Sequence, residues 1–301
     1  MNKIDKNNSP KIFLTGGAGF IGRNILEGLG KKYNFVAPSA KELDLTNTEA
    51  VYNFLEKEKF DIIVHTASMG GVRREEESPD AISVNLRMFF NLARAKPFYK
   101  KLIMFGSGAE YDKRRPIVNV KETEFDRFVP IDQYGFYKYA CSKYAEGTDF
   151  ITHIRLFGVY GKYERYETRF ISNAICRVLF DLPISINQNV FFDFIYIKDL
   201  VRIIDYFLER EPKHKFYNVG RGSRMDLATI AKKILQISGK DLLITIKKSG
   251  LNNEYTCDTS RLSSEFSGLR YTDFDQSIRE LFEYYKFLMP KINKESLLIE
   301  K

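Results

Sequence analysis

Thr15-Gly16-Gly17-Ala18-Gly19-Phe20-Ile21-Gly22 stands between an apolar run, Lys11–Thr15, and an amphipathic stretch, Ile21–Leu29. The run reads as a buried strand and the stretch as the helix that follows it. Gly17, Gly19 and Gly22 satisfy G-x-G-x-x-G, and Gly16, Gly19 and Gly22 satisfy G-x-x-G-x-x-G. Glycine is needed at such a junction because the chain turns sharply, its backbone approaches a pyrophosphate, and the helix packs close to the sheet. The helix N-terminus then offers N–H groups and the positive end of its dipole to the phosphates. A dinucleotide is therefore expected at Gly16, Gly17, Gly19 and Gly22.

The same alternation continues outward. Strands are expected at Asn34–Ala37, Asp61–His65, Lys101–Phe105 and Thr152–Leu156. Helices are expected at Thr48–Glu58, Ala81–Ala95 and Tyr134–Glu146, with Ser78-Pro79-Asp80 as a helix start. Asp112 to about Asp132 reads as one long polar loop. Strands separated by helices imply right-handed βαβ units, hence an α/β protein with a Rossmann-type doubly wound parallel sheet.

Past Gly161 the rhythm loosens. Helical patterns at Thr168–Phe180, Leu200–Leu208, Leu227–Ile237 and Gln276–Phe287 interleave with strands near Pro183–Ile186, Val190–Tyr196, Phe216–Val219 and Leu242–Ile246. This predicts a smaller C-terminal α/β substrate lobe. The expected division is residues 1–165 for the dinucleotide, 166–290 for the lobe, partly interleaved with the first, and a polar, frayed tail over 291–301.

The chain has 301 residues, 44% hydrophobic and 29% charged, enough for a large core. Its net charge is +8, but 47 Lys and Arg are scattered among 39 acids rather than stacked in runs. That balance suits an anionic small molecule; nucleic acid is not expected as a partner. Cys141, Cys176 and Cys257 lack C-x-x-C spacing, which excludes a disulfide framework and a sulfur-based zinc site. Each is expected to be a buried, small apolar residue. His65, His153 and His214 lie far apart, so no metal site is expected. The polar N-terminus lacks the apolar core of a signal peptide, and no apolar run approaches the roughly 20 residues that cross a bilayer. No membrane association and a cytoplasmic location are the corresponding expectations.

A strand ending in Asp or Glu would mark NAD, because a carboxylate binds the ribose 2′-hydroxyl. Here the second strand runs into Val36-Ala-Pro-Ser-Ala-Lys41, with no acid before Glu42. Ser39 and Lys41 suit a 2′-phosphate instead, so NADP is expected, with NAD as the alternative. Asp44 is placed to bond the adenine amino group or to serve as a helix N-terminal charge.

Tyr134-Gly-Phe-Tyr-Lys138 puts a phenol and an ammonium on one face of a helix. Reducing a ketone needs a proton at oxygen as hydride reaches carbon. A phenol titrates near ~10, and a neighbouring cation favours its ionised form, which makes the pair a usable acid/base. Ser107, after the fourth strand, lies at a carboxyl strand end where its hydroxyl can hold the substrate oxygen. Tyr139-Ala-Cys-Ser-Lys143 has the same spacing but sits deeper in the helix. The catalytic set is therefore read as Ser107, Tyr134 and Lys138.

These residues resemble the extended short-chain dehydrogenase/reductase family, the nucleotide-sugar epimerases, dehydratases and reductases. The resemblance also covers His65-Thr-Ala67, Asn85, Arg155-Leu-Phe-Gly-Val-Tyr-Gly161, Asp193-Phe-Ile-Tyr-Ile-Lys-Asp199 and Tyr217-Asn-Val-Gly220. Lys41–Thr46 and Ala67–Val72 look most like GDP-L-fucose synthase. The resemblance implies cofactor contacts at Phe20, Ile21, Leu45, Ala67, Phe157 and Val159 as well as the glycines, Ser39, Lys41, Asp44, Tyr134 and Lys138. It implies substrate contacts at Ser107, Gly108, Ala109, Arg169 and Arg224, and a homodimer built on Ala81–Ala95 and Tyr134–Glu146.

The departures narrow the chemistry. Family dehydratases carry Asp-Glu where Gly108 and Ala109 stand, and fucose synthases carry Cys at Ala109 and His at Arg169. Phe192 replaces the arginine that commonly precedes Asp-Phe-Ile, leaving a diphosphate to Arg169, Arg221 or Arg224. The resemblance then implies hydride transfer at one carbon. The expected activity is a 4-ketoreductase of a nucleotide-linked deoxysugar, the alternative a C4 epimerase or 4-dehydrogenase retaining NAD. A non-catalytic dinucleotide sensor or RNA-binding relative is disfavoured because the Tyr-Lys pair is kept.

Overall fold

Residues 11–15 form strand β1 with side chains buried on both faces, the pattern of a strand at the centre of a covered parallel sheet. Ile12 and Leu14 join one core, Phe13 the other. The structure is a computed structural model that describes residues 9–70 and 78–298. Gly71 and Val72 of the fucose-synthase-like run, the first eight residues and residues 299–301 lie outside it.

After β1 come α1 (Phe20–Leu29), β2 (Asn34–Val36), α2 (Thr48–Glu58), β3 (Ile62–His65), α3 (Ala81–Arg94) and β4 (Lys101–Ser107). Then follow β5 (Ile117–Val120), α4 (Gln133–Glu146), β6 (Ile151–Leu156), β7 (Gly158–Tyr160), α5 (Phe170–Leu179), β8 (Ile184–Asn189) and β9 (Phe191–Tyr196). The remainder is α6 (Ile197–Glu209), β10 (Phe216–Val219), β11 (Arg224–Asp226), α7 (Leu227–Ser238), β12 (Ile244–Leu251) and β13 (Tyr255–Cys257). The last helices are α8 (Ser260–Glu265), α9 (Phe274–Leu288) and α10 (Lys294–Leu298).

The main sheet has the order β10-β6-β4-β3-β1-β2, and every pairing in it is parallel. The chain passes from β1 to β2 on one side and crosses back to β3 on the other. That reversal opens a crevice at the carboxyl ends of β1 and β3, the position where open α/β sheets bind ligands. One face packs α1 and α6, the other α2, α3 and α4.

A second sheet, β11-β9-β13-β5, also holds β7 against β9. Its strand β5 lies inside the segment expected to be one polar loop, a correction with a clear cause. Ile117 and Val120 are buried while Val118 and Asn119 are exposed, and the pairing partner β13 is far along the chain. A four-residue strand stabilised by so remote a neighbour leaves little local pattern. The tail is also corrected: Leu297 is fully buried, and its carbonyl accepts from Arg177. Chain order and sheet membership cross, since β10 completes the main sheet while β5 serves the second.

The loop between β7 and α5 contains a buried acid. Burial pushes the Glu164 carboxyl up to about 7, against a Ser172 hydroxyl donating at 2.6 Å and the Arg169 charge nearby. The folded chain holds a proton there that the unfolded chain loses near 4.5. Stability therefore falls as pH rises from about 4.5 to about 7 and is level above that window. Glu164→Gln should remove the slope and raise stability by about 3 kcal/mol above about pH 8. Urea unfolding across that range checks it; parallel curves for the two proteins would refute it.

Candidate active site

The glycine turn is built as its sequence demands. Gly16 has φ +70°, and a Cβ there would lie 2.7 Å from the Ala67 nitrogen. A Cβ on Gly22 would lie 2.3 Å from the Gly16 carbonyl, so α1 meets the turn backbone to backbone. Gly19 caps α1 without a side-chain bond, and the first turn carries no acid. Its N–H groups and dipole therefore face the crevice with no negative side chain to compete. Phe20 and Ile21 are partly buried at its start.

Beneath the turn, Thr15 Oγ1 lies 2.8 Å from His65 Nδ1 and accepts from the Ala67 N–H at 3.2 Å. Burial, with Lys138 nearby, pushes His65 down to about 3, so it is neutral. Asn85 clamps the chain beyond Ala67, bonding both the N–H and the carbonyl of Met69 at 2.8 Å.

Beyond β2, Ser39 and Lys41 are exposed, as the binding of a 2′-phosphate would need. Glu42 folds back over the same loop and accepts from the Ser39 N–H at 2.7 Å. Asp44 caps its own turn, one oxygen accepting from the Thr46 N–H and hydroxyl, while Leu45 is buried.

The residues read from the sequence as catalytic come from two elements, β4 and α4. Ser107 ends β4 and caps the single helical turn Gly108–Tyr111. Its Oγ accepts from the Ala109 N–H at 3.1 Å and lies 3.4 Å from the Tyr255 hydroxyl. Tyr134 opens α4, whose N-cap Asp132 accepts from the Gly135 N–H. Gly135 permits a close approach: a Cβ there would come within 2.9 Å of the Ala109 carbonyl. The first turn of α4 thus rests directly on the Ser107 turn.

Lys138, one turn further, is buried and donates to the Phe105 carbonyl at 2.5 Å. Its Nζ lies 5.9 Å from the Tyr134 ring centre and 5.0 Å from that of Tyr137. Burial disfavours its ammonium, yet these two phenols hold it above the usual lysine range. The alternative pair points elsewhere. Tyr139 and Lys143 both bond Asp126 on the surface, and Lys143 also pairs with Glu146.

Below the Ser107 turn lies a buried polar hub. Glu110 accepts from the Ser107 N–H and sits 2.9 Å from His153 Nε2, while its other oxygen accepts from Arg155 Nε at 2.7 Å. Arg155 reaches on to Ser142 of α4 at 2.6 Å. Burial opposes ionisation of Glu110, but the His153 N–H and the Arg155 guanidinium bring it down to about 2.

Phe157 covers Gly108, and Val159 lies on β7. Arg169 is exposed at the start of α5. Arg224 is exposed on β11, paired with Glu254 at 3.2 Å and stacked 4.7 Å from the Phe191 ring centre. Phe192 packs 5.6 Å from the Tyr255 ring. Sequence reasoning passed over Tyr255, Glu110 and Gly135. Gly135 was legible inside the Tyr-x-x-x-Lys motif, but the positions of the other two depend on strands distant in sequence.

Residues 12–220 match the model of the NAD dependent epimerase/dehydratase family. GDP-L-colitose synthase of Yersinia pseudotuberculosis is 26% identical over 304 residues, covering 91% of this chain and 97% of that protein. UDP-glucose 4-epimerase of Thermotoga maritima, solved with UDP-glucose, superposes with a TM-score of 0.80 at 19% identity, covering 93% and 99% of the two chains. GDP-mannoheptose C4 reductase of Campylobacter jejuni, solved with NADP, gives 0.77 at 24% identity over 92% and 98%. The solved structures establish a shared fold, and the family match spans more than half of the sequence. The chain belongs to the NAD dependent epimerase/dehydratase family.

Proposed function

We propose that the protein is a 4-ketoreductase of a nucleotide-linked deoxysugar, using NADPH, with NADH as the alternative donor. One observation carries the reading: the opening turn of α4, which carries Tyr134, rests on the turn that Ser107 caps, while the positions after Ser107 are Gly108 and Ala109, which transfer no proton. The glycine turn and the uncapped start of α1 fit a dinucleotide diphosphate, and the exposed Ser39 and Lys41 fit a 2′-phosphate. The dinucleotide, when bound, supplies the hydride.

In this reading Ser107 holds the ketone oxygen, and Tyr134 delivers the proton to it from the opening turn of α4. Lys138 is fixed by the Phe105 carbonyl with its charge beside the phenols. Arg169 and Arg224 are the cations assigned to the sugar diphosphate. We further assign α3 and α4 as a homodimer surface, with Phe136 and Tyr144 exposed on α4, and a cytoplasmic setting suited to three free, buried cysteines. Among the described residues no helix is long and apolar enough to cross a membrane.

The test is turnover of GDP-, dTDP-, UDP- and CDP-linked 4-keto-sugars, followed as loss of NADPH or NADH. Consumption of reduced cofactor with one of them is the expected result. Purified protein that carries NAD and epimerises a nucleotide sugar with no added cofactor would replace this reading with the C4 epimerase.

A further inference from the structure

The second sheet places a phenol beside Ser107. Gly108 has no side chain, and a Cβ built there would lie 2.6 Å from the Tyr255 hydroxyl and 2.7 Å from the Phe157 ring. The space beside Ser107 is thus filled from β13, not from the turn itself. Tyr255 is held by its ring, 4.9 Å from the centre of Phe157 and 5.6 Å from that of Phe192. The aromatic residue at 192 therefore helps to support this phenol.

Ser107 Oγ meets the Ala109 N–H and the Tyr255 hydroxyl. A serine oxygen has two lone pairs and one proton. The Ala109 N–H occupies one lone pair at 3.1 Å. Among the described residues, Ser107 Oγ is the one hydrogen-bond partner of the Tyr255 hydroxyl, at 3.4 Å. If the phenol donates, both lone pairs are engaged and the serine proton must be given away, which directs it to whatever oxygen occupies the crevice. Burial keeps the Tyr255 phenol protonated well above its ordinary range, as a donor must be.

We propose that Tyr255 is a positioning residue for the ketoreduction: its hydroxyl donates to Ser107 Oγ and so commits the Ser107 proton to the substrate's carbonyl oxygen. This rests on the ketoreductase reading. The closing experiment is Tyr255→Phe, alone and in a Ser107→Ala background, assayed with NADPH and whichever of the four nucleotide-linked 4-keto-sugars is turned over, beside Tyr134→Phe. Phe keeps the ring packing, so the melting temperature should not move.

The expected result is a kcat about tenfold lower, with the sugar KM and NADPH affinity within about twofold. In the Ser107→Ala background the same change should cost nothing further, because the hydroxyl it acts through is gone. An unchanged kcat in Tyr255→Phe overturns the proposal, as does an equal loss with and without Ser107. Either outcome leaves the ketoreductase reading intact if Tyr134→Phe is inactive. Full activity in Tyr134→Phe removes Tyr134 as the proton donor, and no turnover of any of the four sugars overturns that reading and this inference with it.

Discussion

Tyr134→Phe should lower turnover by a factor of about 10²–10⁴ while NADPH still binds. The substitution removes one hydroxyl and leaves a ring that already packs edge-on against Tyr137 at 5.5 Å. The N-terminal turn of α4 is fixed by Asp132 and by the contact of Gly135 with the Ser107 turn, neither of which involves the phenol. The loss should therefore fall on the proton-transfer step, with little effect on folding or cofactor affinity. Steady-state kinetics and a cofactor-binding titration check it, and undiminished turnover would remove Tyr134 from the mechanism. Tyr139→Phe is the matched control. Its hydroxyl bonds Asp126 on the protein surface, so activity should be unchanged. If this variant is the inactive one, the catalytic pair is Tyr139 and Lys143.

Glu110→Ala should destabilise the fold by about 3–5 kcal/mol, because breaking a buried ion pair strands the remaining charge. Arg155 is almost wholly buried, lying between the Phe125 and Phe216 rings at 4.3 and 4.8 Å, and Glu110 is the acid that compensates it. The Ser107 N–H would lose its acceptor as well. The Glu110 carboxyl is held below its unfolded value of 4.5, so its contribution is complete above that pH and is lost as pH falls toward about 2. Urea unfolding of the two proteins near neutrality measures the difference; midpoints that coincide would show the hub to be energetically idle. Acid unfolding should also lose part of its slope in the variant.

Much of the frame was readable from the chain. Strand β1, helices α1 and α2 and strand β10 fall where apolar period and glycine placement put them, within a residue or so. These elements are long or strongly patterned, and their burial follows from their own sequence. The shortfall is in the second sheet. Strands β5, β11 and β13 have three or four residues each and exist through pairing with partners remote in sequence. Arg224 was placed in the substrate site by resemblance, but its neighbours Glu254 and Phe191 emerge only when β11 meets β9.

By itself the sequence determined a glycine turn between a strand and a helix, the βαβ alternation around it, and a Tyr-x-x-x-Lys pair on one helix face. Each is a local property: a backbone that only glycine allows, a period of burial, a spacing of four. The tertiary structure decided how the two equally spaced Tyr-Lys pairs are set: the opening turn of α4, which carries Tyr134, rests on the Ser107 turn, while Tyr139 and Lys143 bond Asp126 at the surface. It also decided what stands beside Ser107. Gly108 and Ala109 bring no functional group of their own, and the phenol that fills the space arrives from β13, 148 residues away along the chain. Contacts between strands so far apart are set by packing of the whole fold, and no local pattern announces them.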